Sequence, residues 1–230
     1  EFRRVLFRSF ESSTTTGNTP SRHFVKAAGL YEESFLKGFQ DVYGDPRDWC
    51  IIGLLPTYLE RKHSSLVYMV DHLMRLSQVG ESGFYLYDHE KLGRTLEALE
   101  QRGQKTLLFG VTFALIDFAH DHPLNLRHTV IVETGGMKGR KEELTRSQVH
   151  ERLTRAFGSP VIHSEYGMTE LLSQAYSTGH GCRSGRYDRT IANIYIDIQI
   201  NFRTVRQFFQ RDFGGILCID RKSTRLNSSH

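Results

Sequence analysis

Short apolar runs alternate with longer amphipathic stretches along the middle of the chain. The runs of strand length cover residues 50–55, 106–111, 129–133 and 160–163. The stretches with apolar residues at helical spacing cover residues 64–76, 91–102, 113–119 and 142–157. This alternation predicts an α/β fold, with a mostly parallel sheet and helices on both of its faces. Ligands of such sheets bind at the carboxyl ends of the strands, which directs attention to residues 55–61, 134–140 and 164–170.

The two ends of the chain encode each other on opposite DNA strands. One DNA sequence for residues 1–9 has a reverse complement that, shifted by one base, translates as residues 220–228. Natural protein ends have no reason to be related in this way, and the DNA resembles a common sequencing-library adapter. We therefore expect residues 1–9 and 220–230 to be artefacts and the chain to be a fragment. The alternative is a basic tail at each end.

The net charge of the chain is explained by these two ends. The whole chain has 30 Lys and Arg residues against 26 Asp and Glu residues, a net charge of +4. The ends alone carry six basic residues and two acidic ones, which is also +4. The remainder is neutral, so the pI near 9.0 is no evidence for a nucleic-acid partner or an anionic membrane.

The sequence gives no support for a membrane-spanning protein or for a disulfide-linked one. No apolar run is long enough to span a bilayer. Cys50, Cys182 and Cys218 are odd in number and contain no CxxC pair, which disfavours a zinc site and a disulfide framework. We expect a cytoplasmic protein.

Residues 10–181 are expected to form one α/β domain, and residues 182–219 have a different pattern. Isoleucines alternate with polar residues from Ile194 to Ile200, as in a half-buried strand. The flanking sequence is rich in Arg, Phe and Gln and has weak periodicity. The segment is either a domain edge or a frameshifted read.

Three segments carry residues suited to binding a nucleotide. In the first, the hydroxyl residues 12–16 precede Gly17, and such a loop can close over phosphate oxygens; the alternative is a Ser/Thr-rich linker. In the second, Gly135 and Gly136 follow a predicted strand and would let a flat ligand approach the backbone; an ordinary turn is the alternative.

The third segment follows the last predicted strand of the domain. Tyr166 offers a ring that can stack on a base, and Gly167 follows it. Thr169 offers a hydroxyl to a phosphate, and Glu170 offers a hard oxygen ligand suited to Mg²⁺. The alternative is a helix N-terminus with Thr169 and Glu170 in its first turn.

In this order, the three segments resemble the adenylate-forming (AMP-binding) superfamily of acyl-CoA synthetases, adenylation domains and luciferases. The strings ETGGMKGRKEE and HSEYGMTELLSQAYS are similar to its acyl-protein synthetase branch, the LuxE-type long-chain-fatty-acid–protein ligases. The resemblance covers about residues 10–181. It implies that this α/β domain is part of the large N-terminal domain of such an enzyme, which uses ATP and Mg²⁺.

The resemblance also implies roles for individual residues. Matches to the phosphate-binding loop are Ser12, Ser13, Thr15, Thr16 and Gly17. Gly135 and Gly136 match the turn against adenine, while Tyr166 and Gly167 match the segment whose ring stacks on the base. The catalytic matches are Thr169, which contacts the α-phosphate, and Glu170, which is the metal ligand.

Three features depart from the family pattern. Thr14 occupies a loop position that is usually glycine, and its Cβ would disfavour a conformation with positive φ. The aspartate motif that holds the ribose is not recognisable in residues 182–219. The small C-terminal domain with its catalytic lysine has no match, and neither does the acyl-accepting cysteine of the family. We therefore expect this polypeptide to be inactive, although its full-length parent would be an enzyme.

The resemblance predicts activation of a carboxylic acid, specifically a fatty acid, as an acyl-adenylate. The acyl group would then pass to a thiol, either a protein cysteine or CoA. A phenylacetate-type acyl-CoA ligase and a non-catalytic nucleotide-binding module stay open as alternatives. The sequence does not reveal the acyl chain length, the acceptor or the oligomeric state.

Overall fold

A computed structural model of the 230-residue chain defines the fold. The structure describes residues 8–11, 22–25, 28–55, 63–135, 144–159, 161–168, 172–178, 190–193 and 217–218. Five α-helices and ten β-strands lie within these ranges, together with a short 3₁₀ helix at Pro46–Asp48.

The α-helices are α1 (Ala28–Tyr43), α2 (Ser65–Leu76), α3 (His89–Gln101), α4 (Thr112–Asp121) and α5 (Arg146–Phe157). The strands are β1 (Arg8–Glu11), β2 (Arg22–Val25), β3 (Cys50–Leu54), β4 (Gly83–Phe84), β5 (Thr106–Val111), β6 (Thr129–Thr134), β7 (Ile162–Met168), β8 (Ser173–Ser177), β9 (Thr190–Asn193) and β10 (Leu217–Cys218). None of the described helices combines the length and the apolar character that crossing a membrane requires.

Eight of these strands form one sheet in the order β10-β9-β8-β7-β6-β5-β3-β4. From β7 to β4 all neighbouring strands are parallel, and β10 is parallel to β9. Among the described pairs in this sheet, β7–β8 and β8–β9 are antiparallel. The first two strands form a separate antiparallel hairpin. The predicted mostly parallel sheet is confirmed.

Helices pack on both faces of the sheet, as predicted, and each face has its own apolar core. Successive strand residues divide between the two cores, because side chains along a strand alternate between the faces. Ile52, Leu108 and Ile131 face α3, α4 and α5, whereas Leu107 and Val132 face α1 and α2.

Strand β5 runs directly into α4, and Gly110 makes this tight connection possible. The side chain of Leu115 folds back onto the strand, so a Cβ on Gly110 would lie 2.5 Å from Leu115 Cγ. Only a residue without a side chain allows this approach. The connection places Thr112, the first residue of α4, beside the end of β6.

Helix α5 has clear signals at both of its ends. Thr145 and Gln148 form a capping box in which each side chain accepts a hydrogen bond from the other residue's backbone N–H. The helix stops at Gly158, which has the left-handed conformation with φ of +60°. These signals fix the helix that covers β6 and β7.

The predicted elements between residues 50 and 133 match the structure to within a few residues. Helix α1, strand β8 and the β1–β2 hairpin were not predicted. The prediction for β7 was wrong in extent, because the strand does not end at residue 163 but continues to Met168. Antiparallel pairing with β8 extends it, with Tyr166 opposite Ala175.

Candidate functional site

The ends of β5, β6 and β7 lie side by side and form the surface where a ligand of this sheet would bind. The strands are in register there, so Gly110 pairs with Glu133 and Glu133 pairs with Ser164. We call residues 110–112, 133–135 and 164–167 the carboxyl edge. It contains parts of the second and third sequence segments.

Gly135 follows the last residue of β6 and has a positive φ of +80°. The nearest atom to an added Cβ would be Val111 Cγ1, at 3.8 Å. Space is therefore available, and the backbone conformation is what favours glycine at this position. The neighbouring Gly136 lies outside the described residues.

Tyr166 and Gly167 lie within β7, not after it as the sequence predicted. Tyr166 is half-buried and Gly167 is exposed. A Cβ on Gly167 would lie 3.1 Å from Glu165 Oε1 and 3.4 Å from Gln174 Nε2. Tyr166 and Gly167 belong to the strand because β7 pairs with β8 there. This pairing holds the segment more firmly than a loop would.

The remaining predicted site residues lie outside the described part of the chain. Ser12, Ser13, Thr15, Thr16 and Gly17 fall between β1 and β2, and Thr169 and Glu170 fall between β7 and β8. Their phosphate and metal contacts stay predictions. In the part that the structure describes, no group of three or more His, Cys, Asp or Glu side chains is arranged to hold a metal ion.

Glu133 is a buried carboxylate at the carboxyl edge that the sequence analysis did not single out. Thr112 Oγ1 donates a hydrogen bond to its Oε2 at 2.8 Å, and Ser164 Oγ donates to its Oε1 at 2.5 Å. His150 Nε2 lies 3.6 Å from the same Oε1. Burial acts to raise the pKa of Glu133, but the hydrogen bonds from His150, Ser164 and Thr112 outweigh it, and its pKa is lowered.

Glu165 is a second buried carboxyl group, and it lies on the opposite face of the sheet. Thr134 Oγ1 donates to its Oε2 at 2.7 Å, while its Oε1 has no hydrogen-bond partner among the described residues. Burial raises the pKa of Glu165 to about 7, the Thr134 hydrogen bond opposes this, and the nearby charge of Glu133 adds to it. The two carboxyl groups therefore have opposite protonation tendencies.

Two tyrosines of α1, Tyr31 and Tyr43, lie on the same face of the sheet as Glu165. Gln174 Nε2 donates to Tyr31 OH at 2.6 Å, and Tyr31 OH donates to the carbonyl of Ser65 at 3.2 Å. Tyr43 OH lies 3.0 Å from His163 Nδ1. Burial raises the pKa of both tyrosines, so they stay neutral hydrogen-bonding groups over the physiological range.

Sequence reasoning missed Glu133 and Glu165 because they occur inside strands. A charged residue at the end of an apolar run, such as Glu133 after Val130–Val132, is a signal that could have identified one of them. The arrangement of Glu133 and Glu165 can hold the ends of β6 and β7 in place and can bind or release a proton at Glu165.

Comparison with models of known protein families and with curated proteins found no match to the chain.

Proposed function

We propose that the chain is part of an ATP-dependent ligase that activates a carboxylic acid, specifically a fatty acid, as its adenylate. One observation supports this proposal above others. The Gly135 turn follows β6 and the Tyr166-Gly167 segment lies in β7, so two segments that are separated in sequence meet on adjacent parallel strands at the carboxyl edge. That edge is where open α/β sheets bind nucleotides.

In this proposal the adenine ring lies between the two segments. The Tyr166 ring stacks on the base, and the turn at Gly135 and Gly136 lets the base approach the backbone. The hydroxyl residues of the 12–17 loop surround the phosphates, and Thr169 contacts the α-phosphate. Mg²⁺, held by Glu170, would screen the repulsion between the anionic reactants.

The proposed reaction has two steps. A carboxylate oxygen of the acid attacks the α-phosphorus of ATP, the bond to pyrophosphate breaks, and acyl-AMP and pyrophosphate result. A thiol, of a protein cysteine or of CoA, then attacks the acyl carbon and releases AMP. The first step needs donors around the phosphoryl oxygens and no protein nucleophile.

Acid-dependent exchange of labelled pyrophosphate into ATP, measured on the full-length parent protein, tests the first step. We expect exchange only in the presence of a fatty acid, and its loss in Glu170→Ala. The matched control is Glu151→Ala, which removes an exposed carboxylate on α5 that pairs with Arg155 four residues later. This control should retain exchange.

A second pair of variants tests the base contact. Tyr166→Phe keeps the ring and should bind ATP as the wild type does, whereas Tyr166→Ala should weaken ATP binding about tenfold or more, as expected for a lost base stack. A folded full-length protein that binds ATP but gives no exchange with any acid would refute the ligase and leave a nucleotide-binding module.

A further inference from the structure

Four structural elements meet at the carboxylate of Glu133. The residue ends β6 with Thr134, and its two oxygens accept hydrogen bonds from Thr112 on α4 and Ser164 on β7. His150 brings α5 to the same point, because its Nε2 lies 3.3 Å from Ser164 Oγ as well as near Glu133. One buried side chain thus connects the end of β6 to three neighbouring elements.

Glu133 and Ser164 are each close in sequence to a residue that is proposed to contact the nucleotide. Gly135 is two residues after Glu133, and Tyr166 is two residues after Ser164. Thr112 Oγ1 also lies 3.2 Å from the carbonyl oxygen of Thr134, the residue before the turn. A change at Glu133 would therefore alter the positions of both the Gly135 turn and the Tyr166 segment.

The amino end of β6 has a comparable contact that serves as a reference. Glu100 accepts hydrogen bonds from the backbone N–H groups of Arg127 and His128 and from the hydroxyl of Thr129. Both ends of the strand are thus held by a glutamate. Glu100 lies at the end of the sheet away from the carboxyl edge.

The ionised form of Glu133 is needed for its contacts. Two hydroxyl groups donate to it, one to each oxygen, and a carboxylate can accept both. A glutamine has the same shape but only one oxygen, so one hydroxyl would face an NH₂ group. Glu133→Gln therefore removes one connection without creating a cavity.

We propose that Glu133 is a positioning residue, which fixes the Gly135 turn relative to the Tyr166 segment by joining Thr112, Ser164 and His150. Its effect on catalysis rests on the proposed function, in which these two segments hold the base. Its effect on the local structure does not, so the two proposals can fail separately.

Hydrogen exchange of the full chain, measured by mass spectrometry, tests the structural part. Glu133→Gln should speed exchange by tenfold or more in peptides covering residues 131–135 and 162–168, with little change near residues 126–130. Glu100→Gln should give the reverse pattern. If Glu133→Gln speeds exchange in all peptides, the milder variant Ser164→Ala must show the local pattern instead. Unchanged exchange in the carboxyl-edge peptides of these variants overturns the proposal.

The kinetic part uses pyrophosphate exchange by the full-length parent protein and its variants. Glu133→Gln should raise the KM for ATP at least tenfold and leave the KM for the fatty acid within twofold of the wild type, and Glu100→Gln should change neither. Equal effects of the two variants on KM would overturn the positioning role. A wild type without exchange would refute the ligase, and the hydrogen-exchange pattern would then still decide whether Glu133 fixes the two segments.

Discussion

Replacing Glu165 by glutamine should make the protein more stable above neutral pH. The side chain is buried, and one of its oxygens has no hydrogen-bond partner in the described part of the chain. Burial raises its pKa from the ordinary value of 4.5 to about 7. A glutamine side chain would keep the shape and could accept the bond from Thr134 Oγ1, but it would carry no charge at any pH.

The size and sign of the effect follow from the two pKa values. The folded protein binds the Glu165 proton more tightly than the unfolded chain does, so this group favours folding fully below pH 4.5. That contribution is lost as the pH rises from 4.5 through 7. At about 1.4 kcal/mol for each tenfold change in proton affinity, the loss is about 3 kcal/mol. The Glu165→Gln variant does not suffer this loss, because its side chain does not titrate.

Urea unfolding at several pH values between 4.5 and 8 measures this difference directly. The free energy of unfolding of Glu165→Gln minus that of the wild type should rise by about 3 kcal/mol across the range. Comparing the difference removes the contributions of the other titrating groups, which both proteins share. Glu151→Gln, at an exposed position, should change stability by no more than about 0.5 kcal/mol at any pH.

A flat difference between pH 4.5 and 8 would refute this reasoning, because it would mean that Glu165 titrates alike in the folded and unfolded states. A difference that falls with pH would refute it more strongly. That result would mean that the folded protein favours the ionised form, as it does for Glu133, where hydrogen bonds outweigh burial.

Two further predictions concern stability. Gly110→Ala should destabilise the protein by about 1–3 kcal/mol in urea unfolding, because the new Cβ would lie 2.5 Å from Leu115. The control is Gly80→Ala, which should cost less than about 1 kcal/mol, because a Cβ on Gly80 would meet no described atom within 4 Å. Thr145→Ala should lower the thermal midpoint, with a loss of about 1 kcal/mol, because it removes the side chain that caps α5; Thr145→Ser retains the hydroxyl, and an equal loss in both variants would argue against the cap.

Local sequence determined the central part of the fold. The predicted strand at residues 106–111 has the observed bounds, and the predicted helix at 64–76 differs from α2 by one residue. Apolar residues in these segments are buried on both faces of the sheet or on one face of the helix, so composition and spacing alone identify them.

Elements that depend on distant contacts were missed. Helix α1 is an exception, because its buried Tyr31, Phe35 and Phe39 follow a helical spacing that the sequence shows, although the helix has no acidic residue in its first turn and no basic residue in its last. Strand β8 has the sequence SQAYS, which has no strong strand preference. Pairing with β7 makes it a strand, and local sequence does not reveal which segment will supply that pairing.

The sequence placed Gly135 and Tyr166 after predicted strands. In the structure Gly135 directly follows β6, whereas Tyr166 lies within β7. The sequence did not show that Glu133 and Glu165 would be buried behind them, because burial of a charged side chain depends on what packs over it. Such a group persists only where hydrogen-bond donors meet it, and those donors come from other strands and helices.

The use of hydroxyl groups at the carboxyl edge restricts what could bind phosphate there. A hydroxyl has one proton to donate. Thr112 and Ser164 donate theirs to Glu133, and Thr134 donates to Glu165. None of the three is then available to a phosphoryl oxygen. Under the proposed function, the hydroxyl groups that donate to phosphate are therefore those of Thr169 and of residues 12–16, while the buried hydroxyls hold the strands of the carboxyl edge together.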